Sequence, residues 1–406
     1  MAADTTVYKE IDGKGGDYFS LVGWLGLMIA AGLASVYYME HHGHIVTGMT
    51  NAVVWGTPHV FAVFLIVAAS GALNIASISS VFGKYHYKPL ARLSAVTAIA
   101  LLAGGLMVLV LDLGRPDRLI VAMTKYNFKS IFAWNIYLYT GFFVIVLAYL
   151  WMMMERRMVP HSKKAGLLAF VWRLALTTGT GSIFGFLVAR PGYDAAIMAP
   201  MFIAMSFSFG LAFFIILVSV TYRASGRPLG DLILFKMRNL LGIFIAAALY
   251  FTVAQHLTNL YAAEHAGIEA FILMDGGIYT FLFWVVQIGL GSLFPLALLF
   301  NPATGRRCQG IIVASLLVII GGLAQIYVII IGGQAFPMPI FPGMEVSSSF
   351  FDGVVHSYAP SLPEVVLGLS GVATTLLIIA VAIKYLPLLP TSLSDAKVDP
   401  HHAPKD

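Results

Sequence analysis

The sequence predicts an all-α integral membrane protein with ten membrane-spanning helices. Of its 406 residues, 59% are hydrophobic and 11% are charged, whereas soluble domains average about 25% charged residues. Apolar stretches long enough to cross a bilayer, which takes about 20 residues, follow one another along almost the whole sequence. This composition excludes a water-soluble enzyme and leaves no segment for a sizeable domain outside the membrane.

Each predicted span is an apolar run bounded by polar, glycine or proline residues. In order along the chain, the spans are Tyr18–Tyr38, Pro58–Phe82, Leu90–Asp112, Ser130–Met153, Ala165–Val188, Ala195–Thr221, Asn239–Leu260, Gly276–Phe300, Gln309–Ile331 and Glu364–Leu386. The residues before the first span are polar and partly acidic rather than a basic leader with a cleavage site. We therefore expect the first span to be a permanent helix and not a signal peptide.

The basic residues predict the orientation of the protein in the cytoplasmic (inner) membrane. The odd-numbered loops contain five of the 24 Lys and Arg residues: Arg115, Arg118, Lys125, Lys129 and Arg190. The other 19 lie at the termini, in or beside the even-numbered loops, or within a span. Because basic residues concentrate on the cytoplasmic side, both termini are expected in the cytoplasm. The basic balance is thus a topology signal and does not indicate a nucleic-acid partner.

Spans two to five and six to nine resemble each other weakly. The segment TPHVFAVFLIVAASGA at 57–72 is echoed by APMFIAMSFSFGLA at 199–212. Four spans per copy give both copies the same orientation, which predicts two four-helix bundles with spans one and ten at the periphery. The predicted units are 1–57 with the first helix, 58–190 as the first bundle, 191–332 as the second, 333–363 as a long outer loop, and 364–406 with the last helix and the tail. The loop could be a lid, a docking surface or a tether.

Three spans bring polar or aromatic residues to one depth near the outer surface. His59 begins span two, Asp112 ends span three with Arg115 just beyond it, and Trp134 and Tyr137 begin span four. Ionisable residues in a span usually face a cavity or a partner. A quinone head group requires hydrogen-bond partners, an aromatic surface and a proton acceptor, and histidine titrates near neutral pH.

The sequence therefore predicts a quinone-binding site formed by all five residues, with His59 as the proton acceptor and Asp112 as the group that either orients and charge-stabilises it or relays its proton outward. The alternative is ordinary interfacial placement of the histidine and the aromatic residues. On that alternative, Asp112 and Arg115 would form an ion pair at the end of the helix.

A deeper set of polar residues offers a proton pathway through the first bundle: Asn74, Thr97, Arg173 and Thr177. Arg173 is the deepest charge, and it could instead balance a carboxylate or extend toward the inner surface. In the second bundle, His256 and Asn259 lie where the repeat predicts a degenerate copy of the quinone site. We expect a vestigial cavity there.

The sequence indicates no metal, haem or iron–sulfur cluster in this protein. Its one cysteine, Cys308, is too few for a disulfide framework or a thiolate-held cluster. A haem with two axial histidines would need His59 and His256, which lie on different repeats. A histidine cluster after span one could bind a metal but is more typical of a solvated loop: His41, His42 and His44.

Several motifs resemble the membrane subunits of the polysulfide reductase (PsrC) and NrfD family. They are YHYKPLAR at 85–92, VLDLGRPDR at 110–118 and SIFAWNIYLYTG at 130–141. Two later segments, GGIYTFLFWVVQ at 276–287 and KYLPLLP at 384–390, are similar to the ten-helix branch that includes HybB and DsrP. Within that branch the sequence most resembles the DsrP subunit of the Dsr sulfur-metabolism complex. The resemblance covers nearly the whole length.

The resemblance implies an integral subunit without a prosthetic group that binds menaquinone or ubiquinone near the periplasmic face. Electrons would be exchanged there with a ferredoxin-like iron–sulfur subunit. His59 matches the family's quinone-site histidine, Asp112 and Arg115 match its Asp-Leu-Gly-Arg element, and Trp134 and Tyr137 fall on the helix that follows. For the Dsr type, the partners would also include a multihaem cytochrome c, a haem b membrane subunit and a cytoplasmic iron–sulfur subunit.

We therefore expect a quinone- or quinol-binding membrane subunit of a multi-subunit respiratory redox complex, serving sulfur-compound metabolism and not catalytic alone. The alternative is a secondary transporter, because ten spans and an internal repeat also describe carriers. Carriers with inverted repeats place their polar groups at the bilayer midplane. In this sequence only Arg173 is predicted at such a depth, and the polar cluster near the outer surface favours the redox subunit.

Overall fold

A computed structural model describes residues 6–338 and 353–398 of the protein. Within those ranges it contains ten helices that are long and apolar enough to cross a membrane. We number them α1 to α10: Gly16–His42, Thr57–Ser80, His86–Leu111, Ile131–Met154, Val159–Gly185, Met198–Ala224, Asp231–Tyr261, Ile278–Phe300, Cys308–Ala335 and Leu362–Tyr385. The predicted all-α membrane fold with ten spans is confirmed.

Several helices extend beyond the apolar runs that predicted them. The seventh was expected from Asn239 but begins at Asp231, because its first turns carry charged residues that interrupt the apolar run but continue the helix. The ninth was expected to end at Ile331 and continues to Ala335, which moves Gln334 from the predicted loop into the helix. Part of that loop, residues 339–352, lies outside the described residues.

Helix α2 lies at the centre of the molecule. All but two residues of its first segment, Thr57–Ala72, are buried, and it packs against α3, α6 and α10. Its crossing with α6 depends on glycine, because a Cβ atom at Gly71 would overlap the carbonyl oxygen of Ser206 and one at Gly210 would overlap the backbone of α2. Small residues allow such close backbone approach between membrane helices.

Consecutive helices contact one another within each half of the protein, from α2 to α5 and from α6 to α9. The two halves meet where α2 and α5 pack on α6. Helix α10 lies against α2 and α3, and α1 packs mainly on α10. The division into separate bundles and domains stays a prediction, since the two halves share an extensive interface.

Both ends of the described polypeptide lie on the same side of the molecule. Residues Tyr8–Lys9 pair antiparallel with Leu389–Pro390 in a short two-stranded sheet. Arg227, in the connection between α6 and α7, donates hydrogen bonds to the carbonyl oxygens of Lys9, Glu10 and Leu389. We call the opposite end, where α2 begins and α3 ends, the outer end, in keeping with the orientation that the basic residues predict.

Candidate functional site

A histidine and an aspartate from two helices meet at the outer end. Helix α2 begins at Thr57 with a proline in its first turn, which places His59 close to its start. Asp112 caps the end of α3, the antiparallel neighbour of α2. The Nδ1 atom of His59 lies 2.7 Å from Oδ2 of Asp112, and the aspartate side chain is fully buried. The structure thus brings together the two residues that the sequence selected.

The pair has unused hydrogen-bonding capacity. Neither oxygen of Asp112 accepts a hydrogen bond of regular geometry from any residue that the structure describes, so its 2.7 Å approach to Nδ1 of His59 is a close polar contact that lies off the direction of the ring N–H bond. The His59 side chain retains 15% exposure. Since Nδ1 faces the carboxylate, the proton is assigned to Nδ1, which leaves Nε2 as the atom available to a ligand.

The indole of Trp55 provides a flat surface beside His59. The two rings are nearly parallel, with centroids 6.0 Å apart and an interplanar angle of 21°. Trp55 also stacks on Tyr193 and makes edge contacts with Phe132 and Phe184. Aromatic rings at these separations attract one another, so the indole is held from several sides in a fixed plane beside the imidazole.

A glutamine from the second half of the protein fixes the backbone of Trp55. The Oε1 atom of Gln334 accepts hydrogen bonds from the amides of Val54 and Trp55, and its Nε2 donates to the Trp55 carbonyl. Arg190 connects the same region by donating to the carbonyl oxygens of Gln334 and Ala52. The segment before α2 is therefore positioned by residues that lie far away in the sequence.

A buried carboxylate secures the other side of this segment. Glu364, at the start of α10 and fully buried, accepts hydrogen bonds from the hydroxyl of Tyr358 and the amide of Gly48. The same hydroxyl is within hydrogen-bonding distance of the backbone and side chain of Thr57. Burial raises the pKa of the Tyr358 phenol above its ordinary value, so this group stays protonated and able to donate.

Arg115, Trp134 and Tyr137 differ from the sequence expectation, because the structure does not place them against His59. The guanidinium of Arg115 is exposed and binds both oxygens of Asp117, so it forms no ion pair with Asp112. This contact lowers the pKa of the Asp117 carboxyl.

Trp134 and Tyr137 are both close to half exposed, and they donate to carbonyl oxygens of the α3–α4 connection. They share one face of α4, whereas Phe132 contacts Trp55 and Asn135 turns inward. At about 100° per residue, the two faces of the helix are distinct.

The deeper polar residues form a partial cluster. Arg173 is almost fully buried between the rings of Phe170 and Phe207 and donates to the Ser70 carbonyl. Thr177 donates to the Ser70 hydroxyl. No carboxylate of the described residues pairs with the guanidinium.

The other two predicted pathway residues lie differently. Asn74 has a buried amide nitrogen without a hydrogen-bond acceptor among the residues that the structure describes. Thr97 donates to a carbonyl of its own helix, and in the part of the protein that the structure describes it makes no hydrogen bond to Arg173.

The sequence reasoning missed Trp55, Tyr193 and Gln334. Trp55 precedes the second apolar run, and Tyr193 follows the fifth, so neither appeared among residues within spans. An available signal was the proximity of Trp55 to His59 in the sequence, four residues before it in the segment that leads into α2. No local signal identifies Gln334, because its role depends on the packing of α9 beside the start of α2.

Comparison with known proteins places this sequence in a family. The protein is 29% identical over 386 residues to the Hdr-like menaquinol oxidoreductase integral membrane subunit of Archaeoglobus fulgidus, covering 94% of this sequence and 96% of that protein. It is 23% identical to the C subunit of the polysulfide reductase of Wolinella succinogenes, over 70% of this sequence and 96% of the relative. It is also 22% identical to the menaquinone reductase integral membrane subunit of Nitratidesulfovibrio vulgaris, over 92% and 90%. The model of the polysulphide reductase NrfD family matches residues 45–338, a range that includes His59, Asp112 and Trp55. The protein therefore belongs to the NrfD family of polysulphide reductase membrane proteins.

Proposed function

We propose that this protein is the quinone-binding membrane subunit of a multi-subunit redox complex. Two of the relatives are named for menaquinol or menaquinone chemistry, and a third is a subunit of polysulfide reductase. The observation that carries the proposal is the buried His59–Asp112 pair with the indole of Trp55 parallel to the imidazole.

The residues around His59 fit a quinone head group. The Nε2 of His59, which has no hydrogen-bond partner among the described residues, can exchange a hydrogen bond with an oxygen of the ring, and Trp55 offers a plane on which the ring can lie. The carboxylate of Asp112, which lacks a hydrogen-bond donor among the described residues, supplies negative charge behind the imidazole. A quinone supplies the two-electron, two-proton chemistry that links membrane redox proteins.

In the direction of quinol oxidation, two electrons and two protons must leave the site. His59 accepts one proton at Nε2, and Asp112 stabilises the imidazolium that results, in the way a buried carboxylate stabilises a general base. The second proton leaves to solvent at the outer end. In quinone reduction, the same imidazolium returns its proton from Nε2. Our assignment thus gives His59 and Asp112 the acid–base role and Trp55 the positioning role.

The electrons pass to a partner subunit, because one cysteine in 406 residues cannot hold an iron–sulfur cluster. We propose a ferredoxin-like iron–sulfur subunit docked at the outer end, which we assign to the periplasmic face of the inner membrane. The DsrP branch, with its cytochrome and cytoplasmic iron–sulfur partners and its role in sulfur metabolism, is the finer form of this proposal. Menaquinone and ubiquinone both fit the site chemistry.

A proton route through the first half is a further part of the proposal. It uses Arg173 and Thr177, which both bond Ser70, together with the unpartnered amide of Asn74, and waters would connect them. The transporter alternative has in its favour this same buried guanidinium near the middle of α5. The redox proposal accounts in addition for the His59–Asp112 pair and for the family.

The test measures quinol-dependent electron transfer in membranes that contain the assembled complex. Replacing His59 by Ala is expected to reduce the rate by roughly 10²- to 10⁴-fold, the usual contribution of a general acid–base group, while the complex still assembles. The matched control is His161→Ala, because His161 is an exposed histidine in the first turn of α5 and not part of the His59–Asp112 pair. Normal turnover of the His59 variant would refute the assignment.

A further inference from the structure

Another buried histidine–carboxylate pair lies in the second half of the protein. The Nδ1 atom of His256, near the end of α7, lies 2.7 Å from Oε2 of Glu269 in the connection that follows. Asn259 donates to the other carboxylate oxygen at 2.8 Å. Glu269 and Asn259 are both nearly inaccessible to solvent. Helix α7 ends at the outer end, so this pair lies at the same end of the molecule as His59.

This pair is not a positional copy of the first one. Asn259 occupies the place that corresponds to Asp112 in the repeat, and the segment corresponding to TPHV at the start of α2 is APMF, which puts Met201 where the first half has His59. In the second half, the histidine of the pair, His256, lies on α7, the second helix of the repeat unit. The carboxylate, Glu269, lies on the short helix that follows, Ala266–Ala270. A degenerate copy of the quinone site would keep its histidine and carboxylate at the positions that correspond to His59 and Asp112, and this pair does not.

A cavity of about 40 Å³ lies beside the pair. Its polar lining comes from Thr252, Gln255, Gln287 and Gln325 in addition to His256, Asn259 and Glu269. A single water molecule needs about 10–15 Å³ of such space and two or more polar partners. The cavity therefore has room and hydrogen-bonding groups for a few waters, whereas a substituted quinone ring would not fit without displacement of the walls.

The polar lining continues inward from this cavity. Gln325 donates to the hydroxyl of Thr252, and Gln287 and Gln325 also border a second, smaller cavity of about 20 Å³. Ser208 and Ser292 lie on that second cavity, and they belong to the middle portions of α6 and α8. Hydroxyl and amide groups thus extend from Glu269 toward the centre of the second half.

The helices around the cavity depart from regular α geometry at the same place. Three π-helical segments occur among the described residues, Phe271–Asp275, Leu282–Leu293 and Val328–Gly332, and each contributes lining residues to the larger cavity. π-Helical turns are rare and occur frequently at functional sites. The π-helical segments are an observation independent of the His256–Glu269 pair, and both point to this cavity as a functional site.

Charge favours a proton as the species bound here. With a neutral imidazole and an ionised carboxylate, the pair carries one negative charge in a largely apolar bundle, and one added proton cancels that charge. Helices α6, α8 and α9 contribute only uncharged residues to the lining. The same connection also carries His265, which bonds the Pro191 carbonyl and lies 3.8 Å from the exposed carboxylate of Glu264.

We propose that His256 and Glu269, with waters in the cavity beside them, form a proton-binding site separate from the quinone site. The pair takes up one proton at the outer end, shares it between the imidazole and the carboxylate, and exchanges it with the cavity waters. Gly333 lines this cavity while the next residue, Gln334, holds Trp55. Consecutive residues at the end of α9 therefore border the two sites.

The experiment is a pH titration of the full-length protein in lipid nanodiscs, followed by infrared difference spectroscopy in water and in deuterium oxide. It uses no quinone and no partner subunit, so its result is independent of the proposed function. A carboxyl and an imidazole signal are expected to change together with pH and to shift in deuterium oxide. Both are expected to be lost in Glu269→Gln and retained in Glu264→Gln, at the exposed carboxylate nearby.

A second variant keeps the test decisive if Glu269→Gln does not fold. His256→Gln preserves a hydrogen bond to Glu269 but removes the titrating ring, and it is expected to lose the coupled signal as well. Spectra of Glu269→Gln that match the wild type at every pH would overturn the proposal. A carboxyl signal that persists unchanged in His256→Gln would also overturn it, because the two groups would then not share the proton.

Discussion

Nδ1 of His59 lies 2.7 Å from Oδ2 of Asp112, although the two residues belong to different helices and Asp112 is completely enclosed by protein. A carboxylate buried in this way requires a compensating group. The imidazole is the group that the structure provides. Removing either member leaves the other without its partner. Substitution of His59 removes the proposed proton acceptor, whereas substitution of Asp112 removes the charge that stabilises it.

Asp112→Asn is expected to slow quinol-dependent electron transfer by at least about tenfold, a loss of roughly 1.4 kcal/mol of transition-state stabilisation. The amide keeps the shape of the side chain but not the charge that stabilises the imidazolium of His59. The measurement is the steady-state rate as a function of pH in membranes with the assembled complex. Asp117→Asn, in the exposed pair with Arg115, is the control, and equal losses in both variants would contradict the account.

Trp55→Leu and Trp134→Leu are expected to behave differently. Trp55 stacks beside His59, so its loss should raise the apparent KM for quinol several-fold while the complex remains assembled. Trp134 packs on the α3–α4 connection, and its replacement should leave the KM unchanged. Quinol kinetics of the two variants distinguish their roles. A larger effect at Trp134 would support the sequence expectation instead.

Gln334→Leu is expected to destabilise the protein and weaken quinone binding together. The substitution leaves the partly buried amides of Val54 and Trp55 without their acceptor, and since a fully buried polar group without a partner costs about 1–3 kcal/mol, we expect a loss toward the lower end of that range for each. Thermal unfolding in detergent and quinol kinetics would be measured on the same preparation. Gln309→Leu, at an exposed position at the start of α9, serves as the control. Unchanged kinetics despite a lowered Tm would show that Trp55 does not need this anchor.

Gly71→Val tests the crossing of α2 and α6. A side chain at Gly71 would overlap the Ser206 carbonyl, and forcing helices apart in a packed interior costs about 1–3 kcal/mol. The Tm in detergent is expected to fall by several degrees. Gly26→Val, on α1 where an added Cβ meets no atom within 4 Å, should have little effect. A wild-type Tm for Gly71→Val would contradict the described packing.

The sequence predicted those parts of the molecule that depend on local composition. The ten spans follow from apolar length alone, and His59 and Asp112 were identified because adjacent antiparallel helices must bring their ends to one depth. The contacts of Trp134 and Tyr137 with the α3–α4 connection could not be predicted, because depth in the membrane does not determine rotation about the helix axis. Gln334 and Tyr193 could not be found, because their roles depend on contacts with residues far away in the sequence.

The central claim is that His59, Asp112 and Trp55 surround a quinone head group, and direct binding tests it best. The measurement is the quenching of a fluorescent hydroxyquinoline N-oxide, which mimics a quinol, when it is titrated with the purified protein in lipid nanodiscs. We predict saturable binding by the wild type. The affinity is expected to fall at least tenfold in His59→Ala and to stay at the wild-type value in His161→Ala. Equal affinity of the wild type and the His59→Ala variant would contradict the account.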